Sequence, residues 1–169
     1  MKYKMRFIFV FVCAYLMITK GIGQMEVPIF VSGEEGYKNY RIPAIVQLKS
    51  GKILAFGEGR VDHAGDFGHI NIVYKTSDDG GKTWSTIQIA AKNGLLQVGN
   101  SAPIVDNLDP AYPQGRIFLF YNTGNNHEYE VRKGNGYREA WYITSVDEGK
   151  TWSEPVNITT QVHRPYQPN

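Results

Sequence analysis

The sequence predicts an all-β protein. Short apolar runs recur between Gly-, Asp- and Asn-rich turns, and outside the N-terminal segment no stretch sustains a 3.6-residue apolar period. The 18 glycines and 11 tyrosines suit a turn-rich sheet protein better than a helical one. A nine-residue loop pattern also occurs twice in equivalent strand–turn–strand contexts.

The elements follow in order. Residues 1–23 carry Lys2, Lys4, Arg6 and Lys20, no acid, and an apolar run from Phe7 to Ile18. That run is short for a membrane span and suits the core of a signal peptide, with cleavage near Gly21–Gln24. Residues 1–23 are therefore read as a signal peptide and 24–169 as the exported chain, periplasmic, secreted or lumenal, with no stable membrane span. Cys13, the only cysteine, falls inside the removed segment. The exported chain then has neither a disulfide nor a cysteine nucleophile, and its core must hold it together. Removing residues 1–23 also leaves 14 basic against 16 acidic side chains, which gives no basic stripe for nucleic acid. Charged content of 20% with 13% aromatics argues for a folded chain.

Ile42–Leu48, the turn Lys49-Ser50-Gly51-Lys52 and Ile53–Phe56 read as a hairpin. Ile70, Ile72 and Tyr74 alternate with Asn71, Val73 and Lys75, a period of two. Ile87–Ile89, Arg116–Tyr121 and Trp141–Thr144 are further strands. The repeated loop is Ser77-Asp78-Asp79-Gly80-Gly81-Lys82-Thr83-Trp84-Ser85, which returns 68 residues later as Ser145-Val146-Asp147-Glu148-Gly149-Lys150-Thr151-Trp152-Ser153, identical at seven of nine positions. Such a loop uses the aspartate to bond backbone amides, glycine for a left-handed position and tryptophan to pack on the sheet. A repeat of this length with several strands per unit is the signature of a β-propeller blade.

The spaced pattern S-x-D-x-G-x-T-W resembles the Asp box of the sialidases. Upstream, Tyr40-Arg41-Ile42-Pro43 resembles the Phe/Tyr-Arg-Ile-Pro motif of that family, and Leu54-Ala55-Phe56-Gly57-Glu58-Gly59-Arg60 its following strand. Gly99–Pro103 and Gly115–Phe120 are similar to its second-blade segment, so the resemblance covers roughly residues 36–165. It implies a partial six-bladed β-propeller with about two blades present, with strand edges and apolar faces left open. It implies the N-terminal part of an exo-α-sialidase catalytic domain. The substrates would be sialylated glycans, glycoproteins, gangliosides or oligosaccharides, with no nucleic acid and no cofactor. The Asp boxes are structural in the family, so they receive no catalytic role here.

Each site residue also has a reading of its own. Arg41, at a strand start before a proline, can grip a carboxylate with its fork of donors, or pair with a surface acid. The resemblance makes it one of three arginines that clamp the sialate carboxylate, and Arg60 a second substrate-side arginine; the alternative for Arg60 is a salt bridge with Glu58. Asp66, in the glycine-flanked loop Ala64–Gly68, is implied to be the general acid/base, a role expected to need a raised pKa. Asp62 competes for that role, and an Asx turn would explain either aspartate. Glu58 reads as a supporting residue and Asn100 as a weak pocket candidate.

His63, His69 and His127 form no recognised metal-ligand spacing, and no G-x-S-x-G, phosphate loop or dinucleotide fingerprint is present. No metal site is expected. Asn157-Ile158-Thr159 is a glycosylation sequon. The family mechanism is retaining, with a tyrosine nucleophile outside the usual two-carboxylate scheme. That tyrosine, its glutamate and two further clamp arginines come later in the family's order, and Tyr166 does not sit in the nucleophile's context. The 169-residue chain alone is therefore expected to be inactive. A secreted, non-catalytic Asp-box propeller that binds glycans or proteins is the competing class; Arg41, Arg60 and Asp66 together weigh against it.

Overall fold

The structure, a computed structural model, describes residues 26–163. The predicted signal segment 1–23, Cys13 and Tyr166 lie outside the described residues.

Eight strands form one open sheet in two antiparallel meanders. The first is β1 (Asn39–Gln47), β2 (Ile53–Arg60), β3 (Ile70–Ser77) and β4 (Gln88–Ala91). The second is β5 (Gln97–Asp106), β6 (Arg116–Gly124), β7 (Arg138–Ser145) and β8 (Val156–Asn157). A single parallel pairing, Ile70 with Gln97, joins them. Among the described residues helices are limited to two four-residue turns, α1 (Glu128–Val131) and α2 (Thr159–Val162). The all-β expectation holds, and no helix among the described residues is long and apolar enough to cross a membrane.

The predicted hairpin forms as read. Leu48 and Lys52 close it through a backbone bond of 2.8 Å, with Gly51 at φ 91°. β2 runs beyond Phe56 to Arg60, which carries Glu58 and Arg60 into the sheet. β2 and β3 pair along their whole length, from Ile53 opposite Ser77 to Arg60 opposite Ile70. Both are buried on both faces: the second meander packs on one, and Phe30 and Tyr37 cover the other, where Gly57, Gly59 and Asn71 lie. Leu54, Phe56, Ile72 and Tyr74 from the first meander share one core with Ile117, Leu119, Tyr121 and Ile143 from the second. Burying each such side chain stabilises the fold by about 1.5–3 kcal/mol.

The sequence reading missed β5 as a strand. Gly99, Asn100, Ser101 and Pro103 hide its period, and a bulge between Gly99 and Ala102 with Asn100 at φ 54° breaks it. The same device interrupts β1 between Arg41 and Ala44, where Ile42 sits at φ 54°. Bulges of this kind re-aim side chains beside functional sites.

The repeated loops behave as their chemistry predicts. Asp79 accepts from the Lys82 and Thr83 amides and from the Thr83 and Ser77 hydroxyls, at 2.6–3.0 Å. Asp147 repeats this with the Thr151 amide and hydroxyl and with Ser145. The two tryptophans differ. Trp84 caps its own loop by donating to the Gly81 carbonyl. Trp152 instead packs edge-on against Phe56 and Tyr74 of the other meander, and the Tyr74 hydroxyl donates to the Gly149 carbonyl at 2.8 Å. The second loop thus locks the two meanders together. Gly149 sits at φ 82°, where a side chain is strained, and a Cβ there would meet Leu54 at 2.6 Å.

Removing the Asp147 carboxylate strands the Thr151 and Ser145 donors. Asp147→Ala is expected to destabilise the protein by about 2 kcal/mol, read by urea denaturation. Burial works to raise the Asp147 pKa but is outweighed by the Thr151 and Ser145 bonds, so the net shift is downward from 3.8. A carboxyl depressed on folding stabilises above its unfolded pKa, and that contribution is lost as pH falls through the folded value. Stability should therefore decline below pH 3.8, and Asp147→Asn should show a shallower decline.

Candidate active site

Register explains which side chains meet. Arg41 on β1 lies opposite Glu58 on β2, and Glu58 and Arg60, two residues apart, share a face. The β2–β3 connection then folds back over that face, carrying Asp66. The first repeated loop leaves β3 at its other end, seven steps from Ile70, or about 23 Å at about 3.3 Å per residue. The loops are thus separated from the site, as their structural role requires.

Arg41 Nη1 donates to Asp66 Oδ1 at 2.8 Å, and Arg60 Nη1 pairs with the same oxygen at 2.8 Å. The three predicted site residues therefore converge. Their environments differ, however. The Arg41 and Asp66 side chains are 49% and 64% exposed, whereas that of Arg60 is 2% exposed. Arg60 is held by Glu58 through Nε and Nη2, and its Nη1 donates to the Ala64 and Gly65 carbonyls. Most of its donors are spent inside the protein. It organises the loop that presents Asp66, and the Glu58 salt bridge weighed as the alternative is present. Glu58 has the supporting role expected of it; its Oε1 also accepts from the Asn100 amide at 2.9 Å. Gly99 leaves room for this contact, since a Cβ there would lie 2.5 Å from Glu58 Oε1.

The loop is fixed from outside as well. Phe67 packs on His63 and, edge-on, on His127, with centroids 5.5 and 5.3 Å apart. His63 Nδ1 accepts from the Gly65 amide, and His127 caps α1 by accepting from the Tyr129 amide. These two histidines are structural. Tyr40, next to Arg41, stacks on Phe30 at 5.2 Å and donates to the Glu34 carbonyl. Burial, then Glu35, pushes its hydroxyl up to about 12, so it stays neutral. Among the described residues no group of three His, Cys, Asp or Glu side chains is placed to hold a metal ion.

A pocket of about 410 Å³ opens over this cluster. Arg41, Glu58, Arg60, Asp66 and Asn100 line one side, with Ile42 its single apolar wall; Gln97, Asn122, Glu128 and Arg138 line the other. Asp62 is exposed and does not line it. Of the two aspartates, Asp66 is the one presented to the pocket. The carboxyl is shifted down, not up as expected: the Arg60 bond, together with the charges of Arg60 and Arg41, holds Asp66 below 3.8 against the opposing effect of burial. The loop is too open, and too close to two guanidiniums, for desolvation to win.

Sequence reasoning missed the far wall. Gln97, Asn122 and Arg138 are brought together only by the β5–β6–β7 register, which no local motif encodes.

Fold and site together define an all-β repeat protein with an arginine-flanked acid in an open polar pocket. Residues 52–167 match the BNR repeat-like domain, and the chain belongs to that family. Sialidases are among the curated proteins it resembles. An exo-alpha-sialidase of Arthroderma benhamiae is 31% identical over 157 residues, 80% of this chain and 36% of that protein. A sialidase of Micromonospora viridifaciens is 34% identical over 144 residues, 76% of this chain and 21% of that protein. Among solved structures, the Hadza microbial sialidase Hz136 superposes with a TM-score of 0.63 at 27% identity, covering 77% of this chain and 28% of that one. The chain spans about a third of the length of the fungal relatives it matches, 36% and 38%.

Proposed function

We propose that the protein carrying this sequence is an exo-α-sialidase that removes terminal sialic acids with retention of configuration. One observation carries the reading: Arg41 and Asp66, both accessible, meet in one open pocket while the buried Arg60 and Glu58 hold the acid's loop. In this proposal the substrate carboxylate takes the place of Asp66 as the partner of Arg41, as a bidentate ligand suits a guanidinium. Asp66, released from that ion pair, protonates the departing glycosidic oxygen. Its carboxylate then accepts a proton from the water that releases the sugar, returning the acid to its starting state.

The resemblance supplies a tyrosine nucleophile and a glutamate base from later in the family's order. It also makes each meander a propeller blade. The exposed apolar residues Ile45 and Ile104 on β1 and β5, at 60% and 54%, fit a sheet on which further blades pack. Sialylated glycans, glycoproteins, gangliosides and oligosaccharides are the proposed substrates, met outside the cytoplasm after export.

The test is release of sialic acid from α-linked sialosides by the complete protein and by Arg41→Ala. Wild-type turnover with a large rise in KM for the variant is expected. Turnover indifferent to Arg41 would defeat the assignment. The 169-residue chain alone, with an incomplete clamp, is expected to give no turnover.

A further inference from the structure

On the far wall of the pocket, Gln97 on β5, Gly124 on β6 and Arg138 on β7 stand opposite one another in consecutive strands. Registered neighbours in a sheet share a face. Gly124 has no side chain, so the Arg138 guanidinium lies directly over it; a Cβ at Gly124 would fall on Arg138 Nη1. One row along, Asn122 faces the same space. Among the described residues three polar atoms of this wall, Arg138 Nη1, Gln97 Oε1 and Asn122 Oδ1, are buried without a hydrogen-bond partner. Gln97 itself is only 6% exposed. Buried polar atoms without partners are uncommon, and three of them on residues that line one pocket point to a polar ligand that would satisfy them.

The chemistry of the wall restricts that ligand. Glu128 Oε2 lies 3.5 Å from Arg138 Nε and offsets its charge. Gln97 and Asn122 bring neutral acceptors. A second anion gains little here, and an apolar group would leave all three unsatisfied. A neutral hydroxyl, which both donates and accepts, fits a guanidinium donor beside amide oxygens. We propose that Arg138, Gln97 and Asn122 form a specificity subsite that binds a hydroxylated portion of the substrate away from its carboxylate, with Gly124 as the positioning residue that admits Arg138. This deepens the sialidase reading and rests on it.

The experiment uses the complete protein with free N-acetylneuraminic acid and an aryl sialoside. Arg138→Leu should weaken sialic acid binding and raise KM by about tenfold or more, the scale of a lost charge-assisted hydrogen bond, with kcat changing much less. Gly124→Ala should reproduce this, and the double variant should be no worse than either single one, because both remove the same guanidinium. Arg138→Gln, which keeps much of the packing, should show the same KM rise at an unchanged melting temperature. Unchanged KM and affinity in Arg138→Leu and Arg138→Gln would overturn the inference. So would sulfate competing at this wall in the wild type but not in Arg138→Leu, which would mean an anion site. Sialic acid binding that depends on Arg41 and not on Arg138 would defeat this inference alone; no binding and no turnover by the wild type would defeat the sialidase reading and this inference with it.

Discussion

Asp66→Ala in the complete protein is expected to lower kcat/KM for a sialoside with an alkyl or sugar leaving group by about 10²–10⁴-fold, the usual contribution of a positioned general acid. An activated aryl sialoside, whose leaving oxygen needs little protonation, should lose far less. The split between substrates is what identifies the acid. A residue that merely held the loop would damage both equally, and equal losses would move the assignment to Asp62 or to a structural role. The structure adds a pH signature. In the unliganded site Asp66 is held below 3.8 by the Arg60 bond and by the Arg60 and Arg41 charges, so it is ionised under most conditions. An acid catalyst must begin protonated. A substrate carboxylate seated on Arg41 neutralises one of the two cations, and removing a cation from beside a carboxyl raises its pKa. Profiles of kcat/KM report the free enzyme and those of kcat the bound complex. The limb belonging to Asp66 should therefore lie at higher pH in kcat than in kcat/KM, and coincident limbs would contradict the proposed exchange of partners on Arg41.

The parts of this protein that were legible in its sequence are those written locally. Alternation in Ile70–Lys75, the Lys49–Lys52 turn and the two serine-to-serine loops each carry their own signal within a few residues, and β3, the β1–β2 hairpin and both loops formed as read. Arg41 and Asp66 were found through motif and loop context, and they do meet. What escaped is written across strands. Arg138 becomes a pocket residue only because Gly124, fourteen positions earlier, is its registered neighbour and has no side chain. The β5 strand escaped because its left-handed Asn100 breaks the alternation. The direction of the Asp66 shift is not legible in the sequence, because a glycine-flanked loop says nothing about how open it is or how many guanidiniums it faces. A single register pairing, Ile70 with Gln97, sets the far wall against the near one, and nothing local to either meander announces it.

The largest stability effect should come from Glu58, a residue with no proposed contact to substrate. Glu58 and Arg60 are each 2% exposed, and the carboxylate is the partner of Arg60 Nε and Nη2 and of the Asn100 amide. Glu58→Ala would strand a buried guanidinium and a backbone donor, at a cost of about 3–5 kcal/mol. Glu58→Gln keeps the shape but has one acceptor oxygen where the carboxylate uses two, so with that oxygen turned to Arg60 its NH2 group faces the Asn100 amide; it should lose less than Glu58→Ala while still leaving that one donor unsatisfied. The pair is not thereby a net source of stability, because two charges were desolvated to make it. The double variant Glu58→Leu with Arg60→Met removes both, and it should recover much of the stability lost in Glu58→Ala while leaving the Ala64 and Gly65 carbonyls without their donor. Stability and site order would then part company: a urea midpoint restored toward wild type, with turnover still lost because Asp66 no longer has a fixed loop. If the double variant were instead as unstable as Glu58→Ala, the pair would be a mainstay of the core. If it kept full activity, Arg60 would have no part in presenting the acid, and the organisation of the site would rest on Phe67, His63 and His127 alone.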